Sequence, residues 1–272
     1  MSTPEDSRQP SDAELLAVLH AAVDAISSAL RGLQDWGLAG TREGQHHCDL
    51  AADAAALAVL DSAGLGVFSE ESGTHGIDRP LVVVVDPVDG STNASRGIPF
   101  YAASLCVLDR QGPRAAVVAN LAGCPGGGEG MGSGGSRYEA TRGGGARRDG
   151  QAIRASDCEA LHSAIVGVNG WPSRYLGWGQ YRSLGSAALE LCSVAEGSLD
   201  GYCDASRDGL APWDYMGALL ICSEAGAVVT GVAGGYGTRP EALWVGEHRR
   251  SLVAAGTPKL AGELLAARRS LD

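Results

Sequence analysis

Four acidic residues at strand ends and helix starts are the part of this sequence best equipped for chemistry. Asp86 and Asp89 stand three residues apart in Asp86-Pro87-Val88-Asp89-Gly90-Ser91-Thr92-Asn93, directly after the apolar β-branched run 81–85. Pro87 cannot continue a strand ladder and Gly90 permits a turn closed to other residues, so both carboxylates converge at the end of that strand. Glu71, in Ser69-Glu70-Glu71-Ser72 after a short strand, and Asp214, in Ala211-Pro212-Trp213-Asp214 at a helix start, have similar surroundings. Crowded carboxylates repel one another and stay partly protonated unless a cation neutralises them. Oxygen donors without His or Cys favour Mg²⁺, Mn²⁺ or Ca²⁺ over zinc or copper. Ser91, Thr92 and Asn93 then add hydroxyl and amide groups and free N–H donors where a turn enters a helix, a setting that holds phosphate. Cation and anion sites are expected side by side.

These groups need a scaffold, and the apolar spacing outlines one. Residues 13–33 carry apolar side chains at helical intervals, and Asp49 precedes a second helical stretch, 50–62, closed by Gly64. The run 81–85 reads as a strand buried on both faces that stops at Asp86-Pro87, with further strands at 101–108 and 115–121. A hairpin is expected over 136–153, with turn chemistry at Gly143-Gly144-Gly145 and Asp149-Gly150. From residue 164 onward strands (164–168, 201–204, 227–230, 242–245) alternate with helices (186–195, 213–225, 259–268), an α/β pattern. The chain is thus expected to form an α+β lobe, 1–155, carrying most of the carboxylates, and an α/β lobe, 156–272, completing the site. Residues 123–135 are too rich in glycine to hold regular structure cheaply and are expected to form a mobile loop.

Competing motif readings fail on position. Counted from Asp86, an EF-hand needs Gly sixth and Glu twelfth, where this chain has Ser91 and Gly97. His46-His47-Cys48-Asp49 lacks a matching ligand pair elsewhere for a transition metal, and the glycines of 126–134 precede a hairpin strand rather than a helix. Asn93-Ala94-Ser95 is a sequon that means little without a leader. The aromatic residues Trp171, Tyr175, Trp178 and Tyr181 fit either a substrate entrance or cover for the lobe interface.

Bulk properties narrow the partners. A formal charge of -11 over 272 residues argues against a nucleic-acid or membrane surface, so an anionic substrate needs a local positive centre such as a divalent cation. Seven cysteines without CxxC pairing and the acidic start MSTPEDSRQP favour a reducing, cytoplasmic location. No apolar run nears the roughly 20 residues of a membrane span.

The ordered set Ser69-Glu70-Glu71-Ser72, Asp86-Pro87-Val88-Asp89-Gly90-Ser91-Thr92-Asn93, Gly185-Ser186-Ala187-Ala188 and Trp213-Asp214 resembles the inositol monophosphatase family, within the lithium-sensitive sugar phosphatases. The resemblance runs from about Asp49 to Ala227. It implies a layered α-β-α-β-α fold of the inositol monophosphatase/fructose-1,6-bisphosphatase type, usually a homodimer, with two or three Mg²⁺ ions for which Mn²⁺ can substitute. By residue-wise transfer, Glu71, Asp86 and the carbonyl of Val88 hold the first ion, and Asp86, Asp89 and Asp214 the second. A third, weaker ion leans on Glu71. A water oriented by Ser91 with Glu71 or Asp49 attacks phosphorus in line; Asp53 is the alternative to Asp49. Gly90, Ser91 and Thr92 face the phosphate, while Gly185, Ser186, Ala187, Asp204 and the edge of Asp214 face the alcohol. Arg42 stands where the family often has Lys. The implied activity is Mg²⁺-dependent hydrolysis of a small phosphorylated metabolite. An inositol or related polyol phosphate is favoured over fructose 1,6-bisphosphate, adenosine 3′,5′-bisphosphate or a pathway-specific intermediate, and a catalytically silent metal-binding homologue is the reading from outside the enzymes.

Overall fold

The computed structural model describes residues 9–123, 135–234 and 248–271. Helix α1 (Asp12–Arg31) begins at Ser11, whose side chain and that of Glu14 close a reciprocal capping box. Helix α2 (His47–Ser62) follows, and both lie on one face of an eight-stranded sheet. That sheet contains β1 (Gly66–Ser69), β2 (Gly73–His75), β3 (Val82–Asp89), β4 (Ala102–Asp109), β5 (Gly112–Asn120), β6 (Arg137–Thr141), β7 (Gly145–Arg148) and β8 (Gln151–Ala152), in the order β2-β1-β3-β4-β5-β6-β7-β8. All neighbours are antiparallel except β1 and β3. The short helix α3 (Ser91–Ser95) leaves the end of β3.

The alternation of β3 shows how the layers form. Val83 and Val85 enter the core shared with α1 and α2, whereas Val82 and Val84 enter a second core. That second core holds α4 (Ala187–Ala195) and α5 (Pro212–Glu224), which lie between the first sheet and a second one. The second sheet runs β10 (Gln180–Arg182), β9 (Ile165–Gly170), β11 (Gly201–Ala205), β13 (Leu252–Ala255), β12 (Val228–Gly231), the first three parallel and the last two joined antiparallel. Helix α6 (Pro258–Arg269) covers its far face through Leu260, Ala261 and Leu264. The layers therefore read α-β-α-β-α. Burying each Val or Leu in these cores contributes about 1.5–3 kcal/mol.

Several expectations shift for identifiable reasons. Strand β3 continues through Pro87 to Asp89 because its register against β4 slips between Asp86 and Asp89, a bulge in which the missing proline N–H breaks no ladder bond. Helix α2 starts three residues before the predicted Leu50, so Asp49 lies inside its first turn, where its Oδ2 accepts the His46 N–H at 2.7 Å. The expected hairpin over 136–153 is a three-stranded meander whose second turn, Asp149-Gly150, has φ of 49° and 77°. Strand β13 carries no polar alternation and went unread; the strand expected at 242–245 and most of the loop expected at 123–135 lie outside the described residues. Helix α1 is long and apolar enough to cross a membrane by composition, contrary to the reading that no run approached that length. Its stripe of Leu15, Leu19, Ala22, Val23, Ile26 and Leu30 is buried in the core with α2 and the first sheet.

Candidate active site

Carboxylates from three elements meet where β1, β3 and α5 end or begin. Carboxylate oxygens of Glu70, Asp86 and Asp214 all lie within 4.8 Å of one another. Glu70 reaches this point because β1 outlasts its last regular residue: the Glu70 N–H donates to the Val85 carbonyl at 3.1 Å, which sets Glu70 level with Asp86 on the neighbouring strand. Period-two alternation then decides which acid of the pair turns inward. Phe68 packs edge-on against Trp213 on the α5 side, so Glu70, two residues on, faces α5, as Asp86 does two residues after Val84.

Glu71 points the other way. Its Oε2 accepts from Arg42 Nη2 at 2.9 Å and from the side-chain amide of Gln45. Glu71, expected from the resemblance to be a cation ligand, thus stands outside the cluster of three, and Glu70 occupies the place expected for it. The parity signal was present in the sequence, in the placing of Phe68 two residues before Glu70.

Asp214 is the third residue of α5, behind Pro212, whose lack of an N–H costs nothing in a first helical turn. Its Oδ2 accepts the Ala211 N–H at 2.7 Å. Asp86 Oδ1 accepts the Val88 N–H at 3.0 Å, tightening the bulge. Asp89 lies beside the cluster but is spoken for on one side: its Oδ2 accepts from Ser186 Oγ at 2.6 Å and from the Ala188 N–H at 2.7 Å, the amino end of α4. Ser186 thus serves twice, since it is also the N-cap of α4, accepting from Leu189 N–H. Ser186→Ala is expected to lower the urea midpoint by the equivalent of about 1 kcal/mol, the usual worth of an N-cap hydroxyl. An unchanged midpoint would show that the hydroxyl has no capping role.

Burial and mutual repulsion push these acids upward. Glu70 rises to about 8, chiefly through burial, then through Asp214, Glu71 and Asp89, with Arg42 opposing. Asp214 rises to about 7 through burial and Asp89, with the Ala211 N–H and Arg249 opposing. Asp86 is raised by burial and then by Glu70, Asp89 and Asp214. Asp89 rises to about 6 through burial, held down by its bonds to Ser186 and α4. Such a set of hard oxygen donors, costly to ionise when bare, fits a divalent cation.

The remaining predicted residues divide. Gly90 adopts φ 90°, and a Cβ there would come within 2.8 Å of the Gly185 carbonyl, so only glycine lets the Asp89 turn approach the start of α4. Ser91 is half-buried and Thr92 exposed at the first turn of α3. The Asn93 amide is not free for an anion: it donates to the carbonyls of Phe100 and Leu184 at 2.8 and 2.7 Å. The Gly185 N–H is likewise engaged, by Glu190 Oε1, which also accepts from Leu184 N–H. Glu190, unread in the sequence, is thus the buried brace of this segment. Ala187 begins α4 beside Asp89. Asp204 is fully buried, bonded through Oδ1 to Asn169 and Ser206, while its Oδ2 has no hydrogen-bond partner among the described residues. Asp53 accepts from Ser69 Oγ at 2.5 Å, and Asp49 caps its own helix; both stand outside the cluster of three. Of the aromatic segment, Trp178 is core, with Tyr175 and Tyr181 packed around it, while Trp171 is 93% exposed.

Residues 47–272 match the inositol monophosphatase family. The chain belongs to that family. It is 36% identical over 231 residues to the fructose-1,6-bisphosphatase/inositol-1-monophosphatase of Methanothermobacter thermautotrophicus, covering 78% of this chain and 79% of that one. It is 30% identical over 216 residues to the Nus factor SuhB of Salmonella typhimurium, covering 74% and 72%. The inositol monophosphatase structure from Anabaena shares the fold, with a TM-score of 0.74 at 23% identity over 95% of this chain and 96% of that one. The inositol monophosphatase family consists of phosphatases that act on small phosphorylated substrates, and this chain is a phosphatase of that family.

Proposed function

We propose that this member of the inositol monophosphatase family is a Mg²⁺-dependent phosphomonoesterase of a polyol or sugar phosphate. The observation that carries the proposal is the convergence of Glu70, Asp86 and Asp214, with Asp89 beside them, at one buried point. These residues would hold the divalent ion, and the Val88 carbonyl, which the family resemblance implies as a further donor, belongs to the same bulge. When bound, the ion lowers the pKa of a water and offsets charge on phosphoryl oxygens. The chain's own residues supply the rest. The N–H groups of Gly90 and Ser91 and the hydroxyls of Ser91 and Thr92 face the phosphate. Asp49, raised by burial, stands within electrostatic reach of Asp86 and can accept a proton. Ser186 fixes Asp89, and the partnerless Oδ2 of Asp204 is suited to a substrate hydroxyl.

The family resemblance supports a homodimer and inhibition by Li⁺, and the seven cysteines without CxxC pairing support a reducing, cytoplasmic location. The Methanothermobacter relative is a fructose-1,6-bisphosphatase/inositol-1-monophosphatase, which keeps fructose 1,6-bisphosphate as the alternative substrate for this chain. The test is phosphate release from myo-inositol 1-phosphate, fructose 1,6-bisphosphate and adenosine 3′,5′-bisphosphate, with Mg²⁺ and with EDTA. Turnover of a polyol or sugar phosphate that EDTA removes and Li⁺ inhibits is the expected result. Turnover that survives EDTA, or that is confined to the nucleotide, overturns the reading.

A further inference from the structure

The second acid of the Glu70-Glu71 pair is held as firmly as the first is exposed to a ligand. Arg42 spans the pair with two arms: Nη2 pairs with Glu71 Oε2 at 2.9 Å, and Nη1 donates to the backbone carbonyl of Glu70 at 3.0 Å. Gln45 donates to the same Glu71 oxygen and is itself oriented by the Thr41 hydroxyl. From the strand side, Glu71 N–H donates to Ser69 Oγ, which donates onward to Asp53 of α2. The Glu71 side chain is 5% exposed and that of Arg42 49%, so the pair is buried at its acid end and open to solvent at its guanidinium, and its hold on the 70–71 segment comes from the joint action of Arg42 and Gln45.

The segment that brings Arg42 and Gln45 is a small closed loop in its own right. It is fastened at its base by Ala39 N–H to the Gln45 carbonyl at 2.9 Å and by His47 N–H to the Gly37 carbonyl at 3.0 Å. Arg42 lies at its tip, between those two fastenings. This loop reaches the segment beside the carboxylate cluster through the Glu70 carbonyl and the Glu71 side chain, and so helps to set its orientation.

We infer that Arg42, Gln45 and Glu71 form a latch that positions Glu70 for cation binding, Glu71 acting as an anchor and not as a ligand. The inference rests on the cation-site reading above. Without the latch the 70–71 segment keeps the Glu70 N–H bond to Val85, the Glu71 N–H bond to Ser69 and the β1–β2 pairing, but loses the grip on the Glu70 carbonyl, which loosens the Glu70 carboxylate at the point shared with Asp86 and Asp214. Loss of the latch therefore weakens ion binding and leaves the chemistry of the loaded site intact.

Titration of the full chain with Mn²⁺, followed by electron paramagnetic resonance, tests this alongside phosphate release. Arg42→Ala and Glu71→Ala should each weaken Mn²⁺ binding by about tenfold while turnover at saturating metal stays within about twofold. The double variant should bind no more weakly than the weaker single one, because both substitutions undo one interaction. Arg42→Lys should fall between, since an ammonium cannot grip in two directions as a guanidinium does. Gln45→Ala supplies a second, uncharged probe should Arg42→Ala fail to fold. Wild-type Mn²⁺ affinity in folded Arg42→Ala and Gln45→Ala overturns the latch, and so do losses that multiply in the double variant, which make Glu71 a ligand. Asp86→Asn separates the two levels: if it keeps Mn²⁺ binding, the cation site itself is wrong.

Discussion

Asp86→Asn should abolish Mg²⁺-dependent phosphate release, by roughly a thousandfold or about 4 kcal/mol of barrier, and at the same time make the metal-free protein harder to melt. The pairing of these two effects is what distinguishes a cation site from an ordinary structural acid. Asp86 is buried, and Glu70, Asp89 and Asp214 all act to keep it from ionising. Its amide isostere can keep the bond from Val88 N–H, removes one charge from the cluster and carries no ionisation cost. Melting in EDTA near neutral pH therefore rises, while the shared ligand is gone. Turnover within tenfold of wild type, or a lower melting temperature in EDTA, would sink the assignment.

The metal-free protein should lose stability as pH rises, and Mg²⁺ should restore it. Glu70 and Asp214 ionise near 8 and 7 in the folded chain, against ordinary values of 4.5 and 3.8. Between these limits the unfolded chain has released protons that the folded chain still holds, so unfolding is favoured increasingly with pH. The contribution is fully present below the ordinary values and is gone once pH passes the folded ones. Both acids are coupled to neighbours, so the decline spreads over the window rather than forming a step. Melting curves in EDTA from about pH 5 to about pH 8 should fall throughout. With Mg²⁺, which binds the ionised carboxylates, the increment should grow with pH. Melting temperatures in EDTA that are flat or rise over this range would show that the cluster is not repulsive.

Much of this architecture was legible in the sequence because its signals are local. The apolar run 81–85 marked β3, helical spacing marked α1, and Pro212 followed by Asp214 marked the start of α5. The Asp86-to-Asn93 segment announced a ligand-bearing turn, and the bulge explains how a strand could keep both aspartates. What escaped was relational. Choosing Glu70 over Glu71 required knowing which face of β1 meets α5, information carried by Phe68 and Trp213 together. Asn93 looked available because its partners, Phe100 and Leu184, lie 7 and 91 residues away. Glu190 carries no signal of its own in the sequence, since its role as a brace depends on how the 184–185 peptide turns back onto the first turn of α4.

The contact between the Asp89 turn and the start of α4 has a consequence for how the protein comes to exist. Ser186 and Asp89 are 97 residues apart in the chain, and Asn93 reaches Leu184 over 91. Closing a loop of that length has an entropic cost that must be met before its contacts return anything, so such contacts form late. Asp214 enters later still in the order of synthesis. A growing chain on the ribosome therefore carries Glu70, Asp86 and Asp89 before Asp214 and the start of α4 are there to complete the cluster. The three-carboxylate cluster is complete only when the last helix between the sheets has docked, so a cation site there would be a mark of the finished molecule rather than of any part.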